Sequence, residues 1–136
     1  YAGLGLANAG VTAVHSLSYP LGGTYGIPHG LANTLLLPAV MNYNLPGALE
    51  KFAIIAEVMG EPTDGLSLNQ AAGLAVGAVE NLIDDCGIYD TLETIGIPEE
   101  DFPKLAEAAM TVARPLANNP RSVTVEDAIE IYSDAY

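Results

Sequence analysis

His15 and His29 are the two histidines of this chain, and both fall in one Gly-rich stretch, HSLSYPLGGTYGIPHG. A helix followed by a loop that reverses can bring both rings toward one point, and imidazole nitrogen is a ligand for zinc and ferrous iron. The alternative is two ordinary polar side chains, at the surface or hydrogen-bonded in a core. Two imidazoles do not complete a site, because catalytic zinc or iron takes at least one further protein ligand and keeps a position open. No H-x-x-x-H, H-E-x-x-H or cysteine pair supplies the rest. The missing ligands must come from a distant acid or from outside the chain, and the donor set leaves Fe2+ and Zn2+ equally open.

Other residues in or near the stretch have simpler readings. Gly22, Gly23 and Gly26 lack the Lys and Ser/Thr of a phosphate-binding loop and follow no strand, so their role is a sharp turn that aims His29. Tyr25 has two readings of equal standing: it lines a substrate pocket, or it packs over the glycine turn. Asp84 and Asp85 read as acidic surface rather than ligands, and Cys86 as a small buried residue near a helix end, with no histidine nearby to activate it. No nucleophile and base pair suggests a hydrolase.

The elements that must position these residues read as helices throughout. Residues 1–17 are Ala- and Leu-rich despite Gly3, Gly5 and Gly10, each of which lowers helix propensity by roughly 1 kcal/mol relative to Ala. Pro20 is expected to stop that helix and PLGGTYGIP to form an ordered loop. A second helix is predicted from His29 through Asn44, kinked at Pro38. GALEKFAIIAEVMG has helical spacing and closes at Gly60. Ser67 and Gln70 have capping-box spacing for a helix reaching Gly87, and Thr124 and Asp127 do the same for the last helix. Between them one helix is expected from Glu99–Pro103 to a point before Pro115, after an irregular connection. The result is one all-α domain of five or six helices.

Composition narrows the function. Half the residues are hydrophobic, enough for a buried core, and 17 acids against 4 bases give a formal net charge of −13. Such a charge repels nucleic acid and anionic membranes, and no apolar run reaches the length of a membrane span. It also suits a halophilic protein, whose surface repulsion is screened by salt. A lone cysteine and the lack of a signal-like start suggest a cytoplasmic setting. The first residues begin inside a helical pattern with no initiating Met, as though cut from something longer.

The run HSLSYPLGGTYGIPHGLANTLLLPAVMNYN, with Asn33, Leu37 and Pro38, resembles the metal-binding segment of the iron-containing, or group III metal-dependent, alcohol dehydrogenases. NNPRSVTVEDAIEIYSDAY is similar to the ending of that family. The resemblance implies the C-terminal part of a dehydroquinate-synthase-like helical domain, from a longer enzyme whose N-terminal portion binds NAD or NADP. It implies a metal held by an Asp and three His, two of which match His15 and His29. The other ligands and the cofactor's Gly-rich segment would precede this chain, leaving no complete cofactor site here. The implied reaction interconverts small alcohols with aldehydes or ketones, aided by Fe2+ or Zn2+. Tyr19 departs from the pattern. Many relatives have a histidine there, facing substrate and nicotinamide, and a phenol ionising near pH 10 is a poor proton carrier at neutral pH. A catalytic role for Tyr19 therefore stands beside a pocket-lining or packing one. The isolated chain is expected to be inactive. The competing reading is a non-catalytic helical interaction or scaffold domain. Apolar helix faces left without the missing portion would favour a homo-oligomer.

Overall fold

The computed structural model describes residues 1–136, the side chain of Ala2 excepted. Eight α-helices follow in order: α1 (Ala2–Ala9), α2 (Ala13–Tyr25), α3 (His29–Asn44), α4 (Leu49–Val58), α5 (Leu68–Asp85), α6 (Phe102–Met110), α7 (Ala113–Ala117) and α8 (Val125–Asp134). The all-α reading holds. The helix count exceeds five or six because two predicted helices divide.

The first division is at Gly10, which ends α1 with a positive φ of 73°. The carbonyls freed at this break accept hydrogen bonds from the Asn118 amide, at 3.5 Å for Ala9 and 3.3 Å for Val11. The second lies after Met110, where Val112 leaves helical geometry before the short α7 begins. Pro115 sits inside α7 rather than after it. In a first turn the missing proline N–H has no helical partner to lose, so nothing is sacrificed.

Pro20 does not stop α2, which continues to Tyr25 and absorbs most of the predicted loop. An interior proline costs about 3 kcal/mol. Buried residues lie on both sides of it, Val14 and Leu17 before and Leu21 after, with Pro20 itself buried. Burying a side chain of this kind stabilises by about 1.5–3 kcal/mol. Packing on α3 and α6 therefore outweighs the local penalty. α3 likewise runs through Pro38 without ending.

Two apolar clusters hold the fold. The larger joins α2, α3, α6 and α8 through residues such as Leu17, Leu36, Leu105 and Tyr132. Into it the connection between α5 and α6 inserts Leu92 and Ile97, both essentially inaccessible. That connection has no α-helix and ends in a 3-10 turn at Glu99–Asp101; it is anchored by the Leu92 N–H on the Ala135 carbonyl at 3.1 Å. The smaller cluster packs α4 against α5, with Met41 of α3 completing it.

Both predicted capping boxes form, at Ser67–Gln70 and Thr124–Asp127. The Asp127 carboxylate accepts the Thr124 N–H at 2.8 Å, and this backbone hydrogen bond is the main reason its carboxyl lies below the ordinary value of 3.8. Because the folded state favours the charged form, its stabilisation is full above that value and is lost as pH falls through the lower folded one. Asp127→Asn is thus expected to lower the urea midpoint at pH 7. Its deficit against the parent should close as pH drops below 3.8. A deficit independent of pH would show that the carboxylate charge is not what caps α8.

Candidate metal centre

α2 delivers His15 from its first turn, with the ring half-buried and Val14, Ser16 and Leu17 beside it buried in the fold. The Ser18 hydroxyl donates to the His15 carbonyl at 3.0 Å. At the other end, Gly26 takes a left-handed φ of 70° and closes α2. Of the three glycines in the turn, this is the one whose backbone requires glycine. The Ile27 N–H then reaches the Leu21 carbonyl at 3.5 Å, so the chain doubles back beside α2. Pro28, extended at ψ 134°, starts α3 with His29 as its first residue.

The reversal brings the two imidazoles together, with ring centroids 5.3 Å apart. Tyr19 completes the group. Its ring stacks on His29 at 5.8 Å and meets the edge of His15 at 6.5 Å. Tyr25 does not join them. Its hydroxyl donates to the Asp101 carboxylate, a bond that pushes its ionisation up to about 12, and its ring packs on the larger core.

Asn33 lies one turn after His29. Its amide nitrogen is 2.8 Å from the His29 carbonyl and 3.0 Å from Nε2, which fixes the ring's attitude. The His15 ring keeps its Nδ1 buried with no hydrogen-bond partner. Leaving a buried polar atom unmatched costs about 1–3 kcal/mol. Burial first, and the charge of His29 second, hold His15 below its ordinary ionisation value, so its ring is neutral at neutral pH and has a lone pair to donate. A neutral imidazole with an unmatched nitrogen beside a second imidazole fits the donor chemistry of Fe2+ or Zn2+. Among the described residues no group of three or more His, Cys, Asp or Glu gathers here or elsewhere. Two imidazoles are fewer than the four ligands such an ion takes.

A second brace lies behind the pair. The Asn119 side chain exchanges hydrogen bonds with Asn44 at 2.9 and 2.6 Å, donates to the Arg121 carbonyl at 2.7 Å and accepts the Ala13 N–H at 3.4 Å. It thereby ties the start of α2, two residues before His15, to the end of α3. Arg121 donates to the Tyr43 carbonyl and lies over the Tyr43 ring at 4.1 Å. The NNPR segment is thus a clasp on the two histidine-bearing helices.

The whole chain, residues 1–136, matches the model of the Fe-containing alcohol dehydrogenase family, C-terminal. The chain belongs to this family. It is 44% identical over 135 residues to lactaldehyde reductase of Escherichia coli (strain K12), covering 99% of this chain and 35% of that protein. It is 45% identical over 135 residues to 1,3-propanediol dehydrogenase of Citrobacter freundii, with the same coverage of each. The crystal structure of a 1,3-propanediol oxidoreductase superposes with a TM-score of 0.96 at 42% identity, over 99% of this chain and 35% of that one. This member of the Fe-containing alcohol dehydrogenase family thus spans about a third of the length of the curated relatives it matches.

Three contacts near the imidazole pair were not read from the sequence. Asn33 was noted as part of the motif, and its helical i+4 spacing from His29 was the available signal for its contact with the ring. Asn119 and Arg114 had none. Arg114, exposed on α7, lines a cavity of about 330 Å³ together with Tyr19. Cys86 is a free thiol at the end of α5, exposed rather than buried as expected, because α5's buried face ends at Ala78. Asp84 and Asp85 are exposed as well. No helix of the described residues is long and apolar enough to cross a membrane.

Proposed function

We propose that this chain supplies two ligands, His15 and His29, to the divalent-metal centre of an NAD(P)-dependent dehydrogenase acting on small alcohols and aldehydes. A preceding portion of the enzyme contributes the remaining ligands and the nicotinamide site. The observation that carries this reading is the pair of imidazoles at 5.3 Å, one with a buried and unmatched Nδ1, in a chain of this family. When bound, Fe2+ or Zn2+ supplies positive charge that stabilises the alcohol oxygen while hydride leaves its carbon.

The chain's own residues do the positioning. His15 is held by the buried face of α2, and His29 by the Gly26 turn and the Asn33 amide. Tyr19, stacked on His29 and 43% exposed, forms a wall of the substrate pocket. Its hydroxyl can donate a hydrogen bond to substrate, whereas moving a proton at neutral pH suits a phenol poorly. Tyr25, bonded to Asp101, braces the end of α2 from outside the group.

The test is metal removal from the full-length enzyme. Stripped protein is expected to lose nicotinamide-linked oxidation of short primary alcohols, and added Fe2+ or Zn2+ should restore it. The 136-residue chain alone should bind either ion weakly and turn over neither alcohol nor aldehyde. Full activity in chelated, metal-free enzyme would sink the proposal.

A further inference from the structure

We propose that Asn119 is a positioning residue for the metal centre: from the far end of the chain it caps the first turn of α2 and locks that turn to the end of α3, which sets the spacing of the two imidazoles before any ion binds. This rests on the reading of His15 and His29 as ligands. What it adds is the residue that holds them ready, one whose hydrogen bonds reach neither ring.

α2 has a weak start of its own. Thr12 precedes its first turn, yet the Thr12 side chain accepts no N–H from the helix, and the His15 N–H turns back to the Thr12 carbonyl at 3.1 Å. A first turn without a cap leaves N–H groups unmatched and frays. His15 sits in that turn. Asn119 Oδ1 supplies the missing acceptor for the Ala13 N–H at 3.4 Å. The same oxygen accepts the Asn44 amide at 2.9 Å, while the Asn119 nitrogen donates to Asn44 Oδ1 at 2.6 Å and to the Arg121 carbonyl at 2.7 Å. Both lone pairs and both N–H groups of the Asn119 amide are thereby used. Turning the amide over would set donors against donors, so it has one orientation and fixes α2 and α3 together.

Leu17 and Leu21 of α2 meet Ala32 and Leu36 of α3 in the larger apolar cluster. Burial of this kind is non-directional and leaves the helices free to shift slightly. His29 opens α3 and Asn44 closes it, which puts the two about 22 Å apart along the axis at 1.5 Å per residue. A tilt of about 3° at Asn44 therefore moves His29 by about 1 Å. A set of ligands is held productively only within about 0.5 Å. The directional bonds of Asn119 oppose such a drift at the α3 end and fraying at the α2 end, so its loss should reach the metal through both histidines.

The experiment is equilibrium dialysis of the metal-free full-length enzyme against Zn2+ at neutral pH, for the parent, Asn119→Ala, Asn119→Asp and Phe52→Leu, each first shown to be folded by circular dichroism. Phe52 is buried in the smaller cluster between α4 and α5, so its variant loses stability without touching the clasp. Urea midpoints place all the variants on one stability scale. Asn119→Ala should weaken zinc binding about 10-fold, the low end of the range for a group that orients a ligand. Asn119→Asp keeps the acceptor for Ala13 and loses both donations, so it should fall between alanine and the parent. Phe52→Leu should bind zinc as the parent does, whatever its midpoint. Zinc affinity unchanged in both Asn119 variants, or falling in step with the midpoint across all three variants, overturns the proposal. If the alanine variant does not fold, Asn119→Asp carries the same comparison against Phe52→Leu. The two readings fail separately. Zinc binding that depends on His29 but not on Asn119 overturns this proposal and leaves the ligands standing, whereas zinc binding indifferent to His29→Ala removes the ligand reading and this one with it.

Discussion

Alanine at His29 is expected to weaken binding of Zn2+ to the full-length enzyme by more than about 100-fold, and alanine at His15 to do the same. Replacing a group that only orients a ligand costs 10- to 100-fold in metal affinity, and removing the ligand itself costs more. The two positions should be equivalent because their ring centroids lie 5.3 Å apart, close enough to reach one ion. They reach it by different means: His15 through a helix buried around it, His29 through the Gly26 turn. Asn33→Leu provides the graded control. It removes an N–H donor at 3.0 Å from His29 Nε2, which would compete with an ion for that lone pair, and leaves both imidazoles, so zinc affinity should stay within about 10-fold of the parent. Equilibrium dialysis against zinc at neutral pH measures all three. If either histidine variant kept zinc affinity within a few-fold of the parent, the two rings would be ordinary polar side chains brought together by packing alone.

The convergence of the histidines was legible in the sequence because its cause is local. A Gly-rich turn, a proline and a helix start lie between them, and each restricts the backbone within a few residues. The capping boxes at Ser67 and Thr124 were legible for the same reason, as was the all-helical character. Pro20 was misread because its local cost is real but smaller than the burial of α2 on α3 and α6, which no short window contains. The breaks at Gly10 and Met110 were missed for a related reason. At Gly10 the decisive partner, Asn118, stands far away in the chain and satisfies the carbonyls that an unbroken helix would have used. Asn119 and Arg114 belong to the same class. Nothing near them in sequence marks a brace for α2 or a cation beside Tyr19. The sequence around the histidines lacks positive charge, and the fold brings Arg114 of α7 to a cavity that Tyr19 also lines.

Tyr132→Ala is expected to destabilise the protein by about 3–5 kcal/mol, the range for deleting a large buried aromatic. Tyr132 is fully buried, stacks on Phe102 at 5.7 Å, and donates its hydroxyl to the Leu17 carbonyl at 2.6 Å. It therefore joins α8 to α6 through its ring and to α2 through its hydroxyl. Tyr132→Phe separates the two contributions, since it keeps the ring and removes one hydrogen bond, and should cost about 1 kcal/mol. Domains of this kind are stable by only about 5–15 kcal/mol, so the alanine variant should lose a large share of that margin. Urea unfolding at pH 7 distinguishes the pair. Leu17 lies between His15 and Tyr19 on α2, so the anchored carbonyl holds the helix midway between two rings of the imidazole–phenol group. If the alanine variant lost less than about 1.5 kcal/mol, the neighbouring side chains would be able to collapse into the space, and α2 would be held by Asn119 and the α3 contact instead.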